Sequence, residues 1–368
     1  MTVQTQFGRF FLPGPTEVRP EVLEAMTRPV IGHRGPGMSA LLREVDVPLR
    51  RIFRTGRPVY VSSSSATGLM EAAVRCGVRR RALALVGGAF SGRFRDLVAD
   101  CGREVETYDA AWGAAHDPEE VFRRLRAGGL DAVTVVHSET STGVLNPLPE
   151  IAEAVRAAER EIGEEILLLV DGVTSVGGAA VEADAWGLDL LLTGSQKALA
   201  LPPGLAFATA APRFLARAET IPGRGQYFDL VEFDRQWARH QTPNTPSVSL
   251  VYALVEQTRR IVAEGVEARI ARHRAMAERC WAWTASEGAR WGLSVLAPEG
   301  FRSPTNTAIV LPPERKGTQV AAALEARGWT IAAGYGKLRD ETFRIGHMGD
   351  HTVEELDGLL AELEEVLG

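Results

Sequence analysis

The stretch ILLLVDGVTSVGG, residues 166–178, is followed after a short gap by LDLLLTGSQKALALPPG, residues 188–204. Each opens with an apolar run, continuous in the first and interrupted only by Asp189 in the second, that is short for a helix and lacks the alternation of a strand with one wet face. Such runs fit strands of a parallel sheet covered on both sides. Polar groups close both runs: Asp171 ends the first, and Lys197 stands just beyond the second, between Thr193, Gly194, Ser195 and Gln196 on one side and ALALPPG on the other. A lysine with these neighbours lies at the edge of a core, where it is paired, neutralised or chemically used.

The same rhythm extends in both directions. Strand-like runs PVYVSS (58–63), ALALVG (82–87), EVETYD (104–109), AVTVVHS (132–138) and GLAFATA (204–210) alternate with helix-like segments such as GLMEAAVRC and PLPEIAEAVRAAEREIG. This predicts an α/β fold with a mostly parallel seven-stranded sheet, whose ligands bind where the strands' carboxyl ends meet the following loops. Residues 212–247 read as a connecting or partner-contacting segment. A long helical stretch starts near Ser247 and breaks around EGVEARIARHR. After it come strand-like TAIVLPP (307–313), TIAAG and ETFRIGHMGD, and a last helix whose Thr352 and Glu355 form a capping-box pattern. The expected division is an N-terminal arm (1–20), a large domain (21–249) and a smaller α+β domain (250–368).

The 368 residues are long for one hydrophobic core, and 45% hydrophobic with 24% charged residues is ordinary for a globular chain. A net charge of −6, from 41 basic and 47 acidic residues, argues against nucleic acid or an anionic membrane as the main partner. The triplet Arg79, Arg80 and Arg81 reads as a solvated helix end. Cys76, Cys101 and Cys280 are odd in number and widely spaced, which suggests neither a disulfide framework nor a metal site. With no signal-peptide pattern and no long apolar run, a reduced, cytoplasmic setting is expected.

A carboxylate at the end of the most apolar strand is costly without a cation or strong donor. Asp171 and Lys197 follow neighbouring runs, so they either form an ion pair or flank a group held between them. VSSSSATGLMEAA (61–73) places Ser65, Ala66 and Thr67 at a strand-to-helix turn, with the helix expected to open near Gly68. Free amides, hydroxyls and a positive helix end make an anion cup there. Cup, carboxylate and lysine match phosphate, pyridine nitrogen and aldehyde, the three handles of pyridoxal 5'-phosphate.

LPGPTEVRPEVLEAM (12–26), SETSTGVLNPL (138–148), LLVDGVTSVGG (168–178), GSQKALALPPG (194–204) and FRIGHMG (343–349) span nearly the whole chain. On these stretches the sequence resembles the class V aminotransferases of pyridoxal-phosphate fold type I, closest to the alanine:glyoxylate and serine:glyoxylate (serine:pyruvate) group. The resemblance implies that Lys197 condenses with the cofactor aldehyde and that Asp171 pairs with the ring nitrogen. It also implies that Val173 and Phe90 cover the two ring faces, that Ser65, Ala66, Thr67 and Gln196 hold the phosphate, and that Thr140 lies near the ring hydroxyl. Arg344 would bind the substrate α-carboxylate, with Gly14 and Thr140 also at the substrate. It implies a homodimer in which Thr242 and Thr245 of one subunit complete the partner's phosphate site.

Three positions depart from the group: Phe90 stands for a tryptophan, Thr67 for a histidine and Thr242 for the tyrosine of the animal enzymes. His33 and Arg34 could reach the site's mouth. The expected reaction moves the amino group of alanine or serine to glyoxylate or pyruvate, with aspartate, ureidoglycine or aminoethylphosphonate as alternative donors. No second arginine for a distal carboxylate is evident. A lyase of the cysteine desulfurase kind would need a nucleophilic cysteine on a mobile loop, whereas Cys280 falls in helix-like AERCWAWTA; a non-catalytic scaffold would have no use for Lys197, Asp171 and Arg344 together.

Overall fold

The structure, a computed structural model, describes residues 7–368. Seven of the apolar runs become one sheet: β1 (Tyr60–Ser62), β2 (Arg81–Val86), β3 (Glu104–Asp109), β4 (Ala132–Val136), β7 (Leu167–Asp171), β8 (Leu190–Gly194) and β9 (Ala206–Ala210). A short hairpin, β5 (Ser138–Glu139) with β6 (Val144–Leu145), follows β4. The order across the sheet is β1-β9-β8-β7-β4-β2-β3, parallel throughout except that β9 runs against both of its neighbours. Every residue of β4, β7, β8 and β9 is buried, as continuous apolarity requires of strands covered on both faces.

The helices are α1 (Pro20–Ala25), α2 (Pro36–Phe53), α3 (Ala66–Gly77), α4 (Ala89–Asp100), α5 (Pro118–Leu125), α6 (Leu148–Ile162), α7 (Pro212–Thr220), α8 (Leu230–Trp237), α9 (Val248–Glu264), α10 (Val266–Ala285), α11 (Gly317–Ala326) and α12 (Val353–Leu367). Two expectations change. The helix after the serine tract opens at Ala66 rather than near Gly68, because Ser65 is already extended at its start (ψ 162°). The connecting segment 212–247 is largely helical, since Pro212 suits a first helical turn and Asp229 caps α8 by accepting the Val231 N–H at 3.0 Å.

A second, antiparallel sheet has the order β10 (Ser294–Val295), β11 (Thr307–Val310), β13 (Thr342–Ile345), β12 (Ala332–Ala333). It packs on α12 and the later part of α10 through Met276, Cys280, Trp283, Phe343 and Leu359. The helix pair breaks at Gly265, which has φ 88°; α9 lies in the core of the large sheet, whereas α10 reaches the core of the small one. The 249/250 division thus falls inside α9. Phe11, from the N-terminal arm, is buried in the small core.

Candidate active site

Strands β1, β2, β4, β7 and β8 all end on one edge of the large sheet, and the chemistry gathers there. A cavity of about 190 Å³ is lined by Ser65, Ala66, Thr67, Phe90, Thr140, Asp171, Val173, Gln196 and Lys197, which the sequence had singled out. Met70, Arg93, Val136, Ser138 and Thr174, which it had not, complete the lining.

Asp171 ends β7 and is 3% exposed. Its Oδ1 accepts the Val173 N–H at 2.7 Å, which fixes the turn that puts Val173 into the cavity. Burial pushes this carboxyl up to about 7, and the negative charge of Glu139 adds to the rise; the Val173 N–H and the charge of Lys197 oppose it.

Lys197 lies in the turn after β8. Ser195 shapes that turn, donating from Oγ to the Pro202 carbonyl at 2.7 Å and accepting the Leu205 N–H at 3.2 Å. The Lys197 ammonium is buried and donates to the Pro13 carbonyl; no ion pair within 4.0 Å joins it to Asp171 or to any other described carboxylate. Burial, helped by the positive charge of Arg344, lowers its pKa to about 8. Of the two possibilities left open by the sequence, the direct ion pair is therefore absent.

Two helices, α3 and α4, begin beside this cavity, and they differ. At α4 the Phe90 and Ser91 N–H groups and the Ser91 hydroxyl reach Glu139 at 3.3, 2.9 and 2.9 Å, and the Ala89 N–H reaches Ser141 at 3.0 Å. That terminus already holds its anion. At α3 the Ser65 side chain makes no capping bond, so the turn keeps its amides available to a ligand.

Gly14 lies against Lys197. It has φ +112°, and a Cβ there would come within 2.4 Å of the Lys197 Nζ, so both backbone and space require glycine. The arm is tied in place by Thr16, whose N–H reaches the Gln196 carbonyl at 2.9 Å and whose hydroxyl reaches the Lys197 carbonyl at 3.1 Å.

Arg344 comes from β13, an inner strand of the small sheet, and is 8% exposed. It donates to the Thr140 carbonyl at 3.2 Å and to the Ala333 carbonyl at 3.1 Å, with Tyr335 beside it at 5.3 Å from ring centroid to guanidinium carbon. Burial lowers its pKa to about 10. Thr140 therefore links the two sheets, its hydroxyl meeting that of Thr174 at 2.6 Å inside the cavity.

Thr242 and Thr245 are not at this cavity. They line a separate small hollow with Ser63, Tyr227 and Phe233, where the Thr242 hydroxyl donates to the Asn244 carbonyl at 2.7 Å. Arg34 is engaged with the same loop, donating to the Thr242 and Pro243 carbonyls at 2.7 and 2.9 Å. Cys280 is enclosed in α10, its thiol pushed up to about 12 by burial.

Residues 94–286 match the family Aminotransferase class-V. The chain belongs to the class-V aminotransferases. An uncharacterised aminotransferase of Methanocaldococcus jannaschii is 36% identical, over 97% of this chain and 91% of its own length. The L-aspartate–glyoxylate aminotransferase of Paracoccus denitrificans is 32% identical over 95% of this chain and 88% of its own length. Among solved structures, an alanine–glyoxylate aminotransferase from Nostoc sp. superposes with a TM-score of 0.90 at 31% identity, covering 100% of this chain and 97% of that one. The family makes the chain a transaminase, built on a fold that depends on pyridoxal 5'-phosphate. Among the described residues no helix is long and apolar enough to cross a membrane, and no cluster of His, Cys, Asp or Glu is arranged to hold a metal.

Proposed function

We propose that the chain binds pyridoxal 5'-phosphate at Lys197 and moves the amino group of a small amino acid, alanine or serine, to glyoxylate or pyruvate. The observation that carries this reading is a buried lysine with no carboxylate partner, sharing one small cavity with a buried aspartate and an uncapped helix N-terminus. Those three anchors suit an aldehyde, a ring nitrogen and a phosphate, and glyoxylate is the oxo acid named in two of the relatives above.

When bound, the cofactor supplies an electron sink for the negative charge that develops at the substrate Cα. Lys197 would hold the cofactor aldehyde, and its free amine would carry the proton from the substrate Cα. Its lowered pKa suits both tasks, since each needs the neutral amine near neutral pH. Asp171 holds a proton on the ring nitrogen. Val173 and Phe90, which line the cavity, would cover the ring faces, and Thr140 would lie near the ring hydroxyl. The turn from Ser65 to Thr67 binds the phosphate with Gln196; Thr242 and Thr245 complete that site across a homodimer. Arg344 takes the α-carboxylate through its planar fork, with Gly14 leaving room beside Lys197.

The test is spectroscopic. The visible band of the purified, cofactor-loaded protein should bleach with L-alanine or L-serine and return with glyoxylate, and Lys197→Ala should abolish turnover. Full turnover in that variant would sink the assignment. The presence of Arg93 in the cavity supports, beside these, a donor with a second acid group.

A further inference from the structure

Arg93 is the charged side chain that the reaction above leaves unused. It stands one turn beyond Phe90 on α4 and lines the cavity that holds Lys197, Asp171 and Thr140. On its other side it borders an open groove of about 500 Å³ shared with Ala89, Arg95, Asp109 and Trp112. Its guanidinium carbon rests 5.1 Å from the centre of the Phe90 ring, and among the described residues it has no hydrogen bond or ion pair.

The arginines around it are occupied. Arg95 pairs with Asp96 at 2.6 Å, and Arg344 spends two N–H groups on carbonyls. A guanidinium held over an aromatic face keeps its in-plane N–H fork free. Lys337, 4.6 Å from the Trp112 ring centre, adds beside the groove another cation that has no ion pair among the described residues. The groove's carboxylates are Asp96, already paired, and Asp109.

Arg344 and Arg93 stand on either side of a pair of contacting rings. Tyr335 lies 5.3 Å from the Arg344 guanidinium carbon and 5.4 Å from the Phe90 ring centre, and Phe90 in turn carries Arg93. A neutral donor needs Arg344 alone. We infer that Arg93 binds the distal acid group of the amino donor, so that the site accepts short dicarboxylic α-amino acids beside neutral ones. A carboxylate matches the planar fork of arginine bidentately, which the point charge of a lysine does not reproduce. This inference rests on the transaminase reading of the same cavity, and it removes the argument that a missing second arginine restricts the donor to small neutral amino acids.

The experiment compares kcat/KM for L-aspartate and L-alanine in the cofactor-loaded wild type, Arg93→Gln and Arg93→Lys. The aspartate-to-alanine ratio should fall about tenfold or more in Arg93→Gln, the loss expected for a hydrogen-bonded charge pair, and recover in part in Arg93→Lys. Binding gives an independent readout: succinate should compete better than propionate in the wild type, and Arg93→Gln should erase that preference. An unchanged ratio, or an equal fall for both donors, would overturn the role of Arg93 while a wild type active on alanine left the transaminase reading intact. A wild type that bleaches with no donor would defeat both.

Discussion

Asp171 and Lys197 carry opposite charges on adjacent loops, yet burial moves each towards neutrality, to about 7 and about 8. For Lys197 the consequence is kinetic. Only the neutral amine can attack an aldehyde, so the rate at which the apoprotein takes up pyridoxal 5'-phosphate should rise through a midpoint near 8, measured as growth of the visible band. An amine with the ordinary value of 10.5 would leave that rate still climbing far above this point. For Asp171 the consequence is thermodynamic. Its pKa is raised on folding from 3.8, so the stability that it contributes is complete below 3.8 and is lost as pH rises towards 7. Asp171→Asn removes that penalty, less its smaller attraction for Lys197. The apo variant's Tm, relative to wild type, should therefore climb as pH rises through this window, while its affinity for the cofactor falls. A difference in Tm that stays flat across the window would show that the buried charge costs nothing.

The elements of the site are fixed by a residue that the sequence did not mark. Glu139 belongs to β5 and is 2% exposed. Besides the α4 donors, its Oε1 accepts the Ser141 N–H at 3.2 Å and the Ser141 hydroxyl at 2.6 Å. It pins the start of α4, and with it Phe90, to the hairpin that carries Thr140. Gly88 must be glycine beside it, since a Cβ would lie 2.4 Å from the Glu139 Cδ. Glu139→Ala should lower the unfolding free energy by about 2 to 4 kcal/mol, because the buried donors lose their acceptor. A fall in denaturant midpoint at constant m would report it, and an unchanged midpoint would refute it. Lys197, Asp171 and the Ser65 turn were legible in the sequence because each interrupts an apolar run, and the Thr352 capping box because it is local: its two bonds form at 2.9 and 3.3 Å. Glu139, Arg93, Thr174 and Tyr335 were not. Their meaning comes from neighbours distant in the chain, as when Arg344 reaches the carbonyl of Thr140, 204 residues away, and periodicity carries no such pairing. The seven strands of the large sheet were read where they lie, whereas the two-residue strands β6 and β10 were not, and 212–247 was missed as helical because its two helices are short and polar on one side.

Across the whole molecule the N-terminal arm joins the two sheets at the site. The Gly346 N–H, just after Arg344, reaches the Phe11 carbonyl at 2.8 Å, while Thr16 holds the backbone beside Lys197. Arg269 reinforces the link, bonding the Ala198 carbonyl and Asp350, each at 2.8 Å. The 241–245 loop stays outside this arrangement, its Thr242 and Pro243 carbonyls held by Arg34, and the Ser247 N–H reaches the Ser63 hydroxyl at 2.8 Å. With the loop so anchored, the proposed homodimer would bring Thr245 to a cofactor phosphate through a second copy related by two-fold symmetry. In that dimer symmetry would make the exchange reciprocal, each subunit giving and receiving one loop. A ligand held by both subunits must tighten the dimer by the same factor by which dimerisation tightens the ligand. Sedimentation of the wild type with and without pyridoxal 5'-phosphate should therefore show a dimer dissociation constant lowered about tenfold or more by the cofactor, and Thr245→Val should shrink that shift. If the cofactor leaves the constant unchanged, the phosphate site is complete within one chain and the threonines serve only their own loop.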